Sequence, residues 1–505
     1  YVYSMSSKYN IQLLRISTFI NKTYLGPNEE HLKFPPNFLL GAATSAYQIE
    51  GAWNVSDKGE SIWDRFTHEG KGRIFENENG DVAADSYHKY REDVKSLATI
   101  GFNSYRFSVS WPRLLPTGFS NVVSEDGVRY YNALIDNLLE NNIEPMLTLY
   151  HWDHPQVIED MGGWTNEQIA DLFGDYARVV FKEFGSKVKF FITVNEPLPY
   201  CVNGYSNGIH APGKKDLHGF GEYLCIQNVL KAHARAYRIY EEEFKEEFGG
   251  SVGINVHTTA FYPKNAGDKD SVEVAFEFRS GIILNPIFSE NGDYPEIVKK
   301  MVSEASKEQG YYRSRLPELG ADWIEYIRGT SDFLAVNHYT SQIVEPGESG
   351  VVPSMTNDMK LVKTQDPTWK TSNSYWLKVE PKGFGDSLRK LKEKYNNPVM
   401  YITENGFSDK GEIDDDPRIH YFETYVTEML TAIYEDGVNV KGYLLWSLLD
   451  NFEWNRGYSE RFGIIHVDVK DQARPRTFKK SAIWWMDNVQ RGYIIPAKRE
   501  LNISY

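Results

Sequence analysis

Two carboxylic acids, Glu196 and Glu404, each end a run of residues that belongs in a protein interior. Glu196 follows Phe191-Ile192-Thr193-Val194-Asn195, and Glu404 follows Val399-Met400-Tyr401-Ile402-Thr403. Asp and Glu together number 70, and a carboxylate taken at random from them is a solvated surface charge. One placed at the end of a buried run has lost its water and needs a partner or a task. Two such acids facing each other over a small ligand could break a glycosidic bond. One would protonate the leaving oxygen, while the other attacks the anomeric carbon or activates a water.

The elements that must hold these acids can be picked out along the chain. Eight short β-rich runs occur at 38–43, 104–109, 144–149, 190–194, 252–256, 333–336, 399–402 and 442–445. Helical patterns alternate with them, for example at 85–100, 125–141, 166–184, 225–248, 384–395 and 419–436. The connection between the fifth and sixth runs is long enough for extra loops and helices. Strand then helix, eight times over, predicts an α/β fold, a (β/α)8 TIM barrel of one domain with elaborated βα loops. The competing open doubly wound sheet announces itself by a Gly-rich turn after its first strand. Here that position reads Thr44-Ser45-Ala46-Tyr47-Gln48. The expected division is an N-terminal extension over 1–32, the barrel over 33–495 and a tail over 496–505.

In such barrels the active site gathers at the C-terminal ends of the strands. Those ends carry Gln48, Arg106 (inside its run), His151, Asn195-Glu196, Asn337-His338-Tyr339, Glu404-Asn405 and Trp446. A barrel with no site has little reason to place polar and aromatic groups there so often.

Composition narrows the partners. Net charge is −15, so phosphate backbones and anionic membrane surfaces are repelled. No run is long and apolar enough for a transmembrane helix. Aromatics reach 14%, a level that suits sugar faces as well as a large core. No HExxH, Cys cluster or P-loop occurs, so no metal or cofactor is expected. Cys201 and Cys225 could pair, but Cys225 lies in a helical-looking stretch, and the expectation is two free, buried thiols. Sequons at Asn21, Asn54 and Asn502 fit a secreted glycoprotein, although a cytoplasmic location is also compatible, and the start at Tyr1 rather than Met suggests a processed or trimmed product.

The two acidic contexts match a known family. Thr193-Val194-Asn195-Glu196-Pro197 resembles the acid/base signature of glycoside hydrolase family 1, and Ile402-Thr403-Glu404-Asn405-Gly406 resembles its nucleophile signature. The resemblance continues through 34–51, 105–112, 150–155, 332–340, 446–454 and 457–463, and covers roughly 33–495. In style it is most similar to insect members, as in Glu435-Asp436-Gly437-Val438-Asn439-Val440 before the last strand.

That resemblance implies a retaining β-glucosidase acting on terminal β-D-glucosyl residues of small glycosides. Glu404 would form a glycosyl-enzyme. Glu196 would protonate the aglycone oxygen and later deprotonate water. Arg106, Asn337 and Tyr339 would support the carboxylates, and Asn195 would bond the sugar 2-hydroxyl. Gln48, His151, Trp446, Glu453 and Trp454 resemble the sugar-binding set, with Glu453 accepting from the C4 and C6 hydroxyls. Members acting on 6-phosphorylated sugars lack a carboxylate at that position, so a neutral glycone is expected: glucose, with galactose or fucose as further substrates.

Two other readings stand beside this one. A thioglucosidase cleaving glucosinolates is built on the same scaffold, although plant examples replace the acid with Gln. A sulfated aglycone calls for Lys or Arg in the outer pocket. Val202 and Thr340-Ser341-Gln342-Ile343-Val344 supply none, which leaves Arg313 and Arg315. A catalytically dead carbohydrate-binding barrel is the other reading, and the presence of both carboxylates argues against it. The aglycone pocket is expected from loops at 200–217, 311–319 and 352–376. His154, His338 and Glu380-Pro381-Lys382-Gly383 depart from the family pattern, with His338 placed to perturb Tyr339.

Overall fold

The computed structural model describes residues 32–494, so the sequons at Asn21 and Asn502 and nearly all of the expected extension and tail lie outside the described residues. Asn54 is exposed in a loop. The strands are β1 (Leu39–Ala43), β2 (Ser104–Ser108), β3 (Glu144–Tyr150), β4 (Phe190–Val194), β5 (Ser251–Pro263), β6 (Phe333–Pro346), β7 (Leu361–Thr364), β8 (Met400–Glu404), β9 (Val440–Trp446), β10 (Ile465–Val467) and β11 (Arg476–Phe478).

Eight of them close a parallel ring in the order β1-β2-β3-β4-β5-β6-β8-β9, with β9 returning to β1. This is the (β/α)8 barrel that the alternation predicts. The strands are buried almost throughout because helices cover the outside and side chains fill the inside. Phe190, Phe333 and Tyr401, from the N-terminal ends of three strands, pack edge-on at 5.2–6.2 Å between ring centroids and plug the base of the barrel. Phe333 and Tyr401 are buried, each contributing about 2 kcal/mol, and Phe190 is half-buried. The open end is left for polar groups.

The covering helices follow from local sequence. Ser61 and Asp64 form a capping box at the start of Ile62–Glu69, and the Ser124 hydroxyl accepts from Gly127 N at 3.0 Å to start Glu125–Glu140. In Ile169–Phe184 the buried residues Phe173, Tyr176, Ala177, Val180, Phe181 and Phe184 recur at helical spacing and face the barrel.

Two expectations are corrected. β5 and β6 do not stop at 256 and 336 but run on to Pro263 and Pro346, paired with each other past a bulge between Thr258 and Ala260. β7 adds to β6 as an antiparallel strand. This ribbon stands above the ring. Burial falls off along it, from fully buried residues at the ring to half-buried ones at 261–263 and 342–343. Cys201 and Cys225 are disulfide-bonded rather than free. Both do lie on helices, Pro197–Tyr205 and Gly221–Glu243, but those helices pack together and bring the two Cα atoms to 5.5 Å. The bond closes a loop of sequence separation 24, worth about 3 kcal/mol by chain entropy. No helix among the described residues is long and apolar enough to cross a membrane.

Candidate active site

Glu404 is the last residue of β8, and its carboxylate is held from two sides. Arg106, from the middle of β2, donates to Oε1 at 2.6 Å, and the Tyr339 hydroxyl donates to Oε2 at 2.7 Å. Arg106 is fully buried and every edge of it is used: Nε donates to Thr148 and the second terminal nitrogen to Asn195 Oδ1 at 2.7 Å. After Glu404 the chain turns against β9, where a Cβ on Gly406 would stand 1.8 Å from the Trp446 carbonyl oxygen. Glycine is therefore required there for backbone reasons.

Glu196 caps the end of β4 in a left-handed conformation, φ 45°, rare for a residue with a Cβ. Pro197 accounts for the helix starting only after Glu196, not for the positive φ. It starts a helix well but excludes helical geometry from the residue before it. The Glu196 amide donates to Asn255 Oδ1 at 3.1 Å, which fixes this strained corner. Its carboxyl accepts from Asn337 Nδ2 at 2.7 Å, and the same nitrogen lies 3.2 Å from Asn195 Oδ1.

The two acids live in unequal surroundings. Burial first, and then the neighbouring Glu404 charge, push Glu196 up to about 8. Burial raises Glu404 as well, but Arg106 and Tyr339 oppose it directly. Glu404 is the member of the pair that ionises first, leaving the proton on Glu196. A pair divided in this way can act as base or nucleophile on one side and acid on the other.

A stability prediction follows from the Glu196 shift. Unfolded, this carboxyl titrates near its ordinary 4.5; folded, near 8. Between those values folding must take up a proton, so its cost grows from pH 4.5 to 8. Glutamine takes up no proton and still accepts from Asn337. Glu196→Gln is expected to melt a few °C above the parent protein at pH 7.5 and at the same temperature near pH 4. Equal midpoints at pH 7.5 would show that the carboxyl is not strained by its site.

The strand ends enclose a cavity of about 400 Å³, a usual size for a small-ligand site. Glu196, Glu404, His151, Asn195, Tyr339, Trp446, Glu453 and Trp454 all line it. Gln48, Arg106 and Asn337 sit behind the wall, fully buried. Gln48 donates to Asn451 Oδ1 and the Phe452 carbonyl, and lies 3.4 Å from Glu453 Oε2, so it positions the Glu453 loop. His151 Nε2 accepts from Asn195 Nδ2 at 3.1 Å, while burial keeps the ring neutral. The proton then belongs on Nδ1, which has no partner among the described residues. Trp446 lies nearly parallel to His151, and Trp454 packs on Trp152, so flat apolar faces meet hydrogen-bonding edges. Burial, then Glu460 and Glu404, raise Glu453 strongly. A cavity lined by these carboxyl groups suits a neutral ligand rich in hydroxyls.

Several expectations are corrected here. His338 does not touch Tyr339. Strand alternation turns it outward, where it stacks on Phe384 at 5.1 Å and meets Thr258 Oγ1 at 3.1 Å. His257 packs edge-on against the Tyr339 ring instead. His154 bridges Tyr150 and the buried Glu159, which accounts for its departure from the family pattern. Arg315 is tied to Asp358 and the Gly219 carbonyl, and Arg313 is exposed away from the cavity. The loop 311–319 contributes nothing to the lining; 200–217 and 352–376 do, joined by Phe278 and Arg279 after β5. Asn255, His257 and Arg279 escaped the sequence reading. Asn255 alone left a signal, a polar residue inside the apolar run 252–256.

Comparison with known proteins shows the family. Residues 30–492 match the model of Glycosyl hydrolase family 1. "Myrosinase 1" of Brevicoryne brassicae is 44% identical over 464 residues, 91% of this chain and 99% of that protein. "Cytosolic beta-glucosidase" of Homo sapiens is 43% identical over 461 residues, 89% of this chain and 97% of that protein. The solved structure of aphid myrosinase superposes with a TM-score of 0.88 at 43% identity, covering 91% of this chain and all of that one.

Proposed function

Since the chain belongs to glycosyl hydrolase family 1 and is a retaining β-glycosidase, we propose that it is a β-glucosidase releasing glucose from small O-glycosides, with Glu404 as nucleophile and Glu196 as acid/base. The observation that carries this reading is the divided carboxyl pair, one acid paired with Arg106 and Tyr339, the other pushed up by burial and by its charged neighbour.

The sequence of events follows from the surroundings of each group. Glu404 attacks C1 while Glu196 gives its proton to the aglycone oxygen. Burial raises Glu196 most and the Glu404 charge second; esterification removes that second cause, so Glu196 falls and can take a proton from water. That water attacks C1 from the face the aglycone left, and configuration is retained. Asn195, held by Arg106 and Asn337, is oriented for the sugar 2-hydroxyl. Trp446 offers a floor, His151 Nδ1 a donor, and Glu453 an acceptor for hydroxyls at the far end of the ring. A phosphate there would meet Glu453 and Glu460, which supports a neutral glycone. The disulfide supports an oxidising compartment and hence secretion, with Asn54 open to glycosylation.

A panel of 4-nitrophenyl β-D-glucoside, β-D-galactoside, cellobiose and sinigrin tests the assignment. The nitrophenyl glucoside is expected to show the highest kcat/KM, with the galactoside below it. A much higher rate on sinigrin would replace the reading with the thioglucosidase one. That second reading has one observation in its favour, a pair of cations in the outer pocket.

A further inference from the structure

The cavity is electrically divided along its length. Its inner end holds Glu404 and Glu453; its outer end, beyond Glu196, holds Arg279 and Lys363. Arg279 comes from the helical turn after β5 and reaches the cavity through His257, its terminal nitrogen 2.7 Å from His257 Nδ1. That imidazole nitrogen lies 3.8 Å from Glu196 Oε2, so Arg279 stands on the acid's side of the site, where the leaving group departs. Among the described residues the guanidinium makes no ion pair, and its buried Nε has no hydrogen-bond partner. Lys363, on β7, faces the same space, and its ammonium likewise has no hydrogen bond or ion pair among the described residues.

Two cations without a counter-ion repel each other, and desolvation makes that worse. Arg279 and Lys363 do so here: burial and then Arg279 lower Lys363 to about 8. The one carboxylate that offsets Arg279 is Glu196. Yet Glu196 must carry a proton when substrate binds, so at that moment neither cation is balanced. The His257 ring is kept neutral by burial and by Arg279, and adds no charge. Phe261, Phe278 and Met359 surround the pair with apolar surface, on which an aromatic or aliphatic body can rest.

Resting on the β-glucosidase reading above, we propose that Arg279 and Lys363 form an anion-binding subsite for the aglycone, and that the preferred substrates carry a carboxylate or sulfate group there. The glucose ring then occupies the acidic inner end and the anion the basic outer end, which also fixes the direction in which the glycoside enters. Arg279 presents a fork suited to two oxygens and Lys363 a mobile point charge.

The test compares kcat/KM on 4-carboxyphenyl β-D-glucoside and on sinigrin, each divided by the value on the neutral 4-hydroxymethylphenyl β-D-glucoside. The parent protein, Lys363→Gln and Arg279→Gln are measured, so leaving-group differences cancel between proteins. Lys363 stands on the added strand β7, enclosed by the cavity walls but open to the cavity rather than packed in the core, which makes its variant the safer one for folding. The ratio is expected to fall about tenfold in Lys363→Gln and further in Arg279→Gln, and to fall with added salt in the parent protein. A fall on the carboxyphenyl arm alone assigns carboxylate aglycones, and one on the sinigrin arm alone assigns sulfate; either supports the subsite. Ratios unchanged on both arms in both variants would overturn it while leaving the β-glucosidase reading intact. So would equal losses on charged and neutral substrates in Arg279→Gln, the mark of a residue that acts only through Glu196. Absence of hydrolysis of every glucoside by the parent protein would overturn both readings.

Discussion

Glu404→Ala will lower kcat on 4-nitrophenyl β-D-glucoside by about five orders of magnitude, roughly 7 kcal/mol of transition-state stabilisation. The effect is large because nothing else in the cavity can take the nucleophile's place. Glu196 holds a proton, and Glu453 is turned toward Gln48 at the far end. Arg106 and Tyr339 remain, aimed at a charge that is gone. Small anions should therefore enter the vacated space, and azide is expected to restore much of the rate. It attacks from the side Glu404 occupied, so the product is the α-glucosyl azide, inverted relative to substrate. Chromatography against both authentic anomers checks this. Undiminished turnover in the variant, or rescue that yields the β-azide, would show that another group makes the first bond.

Glu196→Ala should produce a loss that depends on the leaving group. An alkyl glucoside needs its oxygen protonated, and kcat/KM is expected to fall by roughly three to four orders of magnitude. A dinitrophenyl glucoside needs no such help, and its kcat/KM should stay within about tenfold of the parent value. Hydrolysis of the resulting glycosyl-enzyme becomes slow, because no base activates water. Azide needs no base, and here it should accelerate turnover and give the β-glucosyl azide. The pH profile supplies a second check with a defined sign. Glu196 works as an acid only while protonated, so parent activity on the alkyl glucoside should decline as pH rises through about 8. The variant should lack that limb. Equal losses on both leaving groups would point to general damage rather than to a missing acid.

Much of this site was legible because the barrel reduces the problem to one dimension. Once eight strands are found, the residues past their ends must share a rim, and Glu196, Glu404, His151, Asn337, Tyr339 and Trp446 were reached in that way. The outward turn of His338 was missed although the sequence carries it: alternation along a strand puts it opposite Asn337 and Tyr339. What could not be read depends on contacts between distant segments. Arg279 sits in a helical stretch, Lys363 on an added strand, and only the folded ribbon of β5, β6 and β7 brings them to the same cavity. Cys201 and Cys225 were placed on helices, yet whether two helices face each other is settled by packing, not by either helix alone. His154 looked anomalous until Glu159 was seen beside it.

The covalent step on Glu404 is tested most directly by trapping. After incubation with 2,4-dinitrophenyl 2-deoxy-2-fluoro-β-D-glucoside and digestion, mass spectrometry should find one fluoroglucosyl group per chain, on the peptide bearing Thr403-Glu404-Asn405, with the ester at Glu404. A label on Glu196 or Glu453, or inactivation with no label at all, would contradict the account.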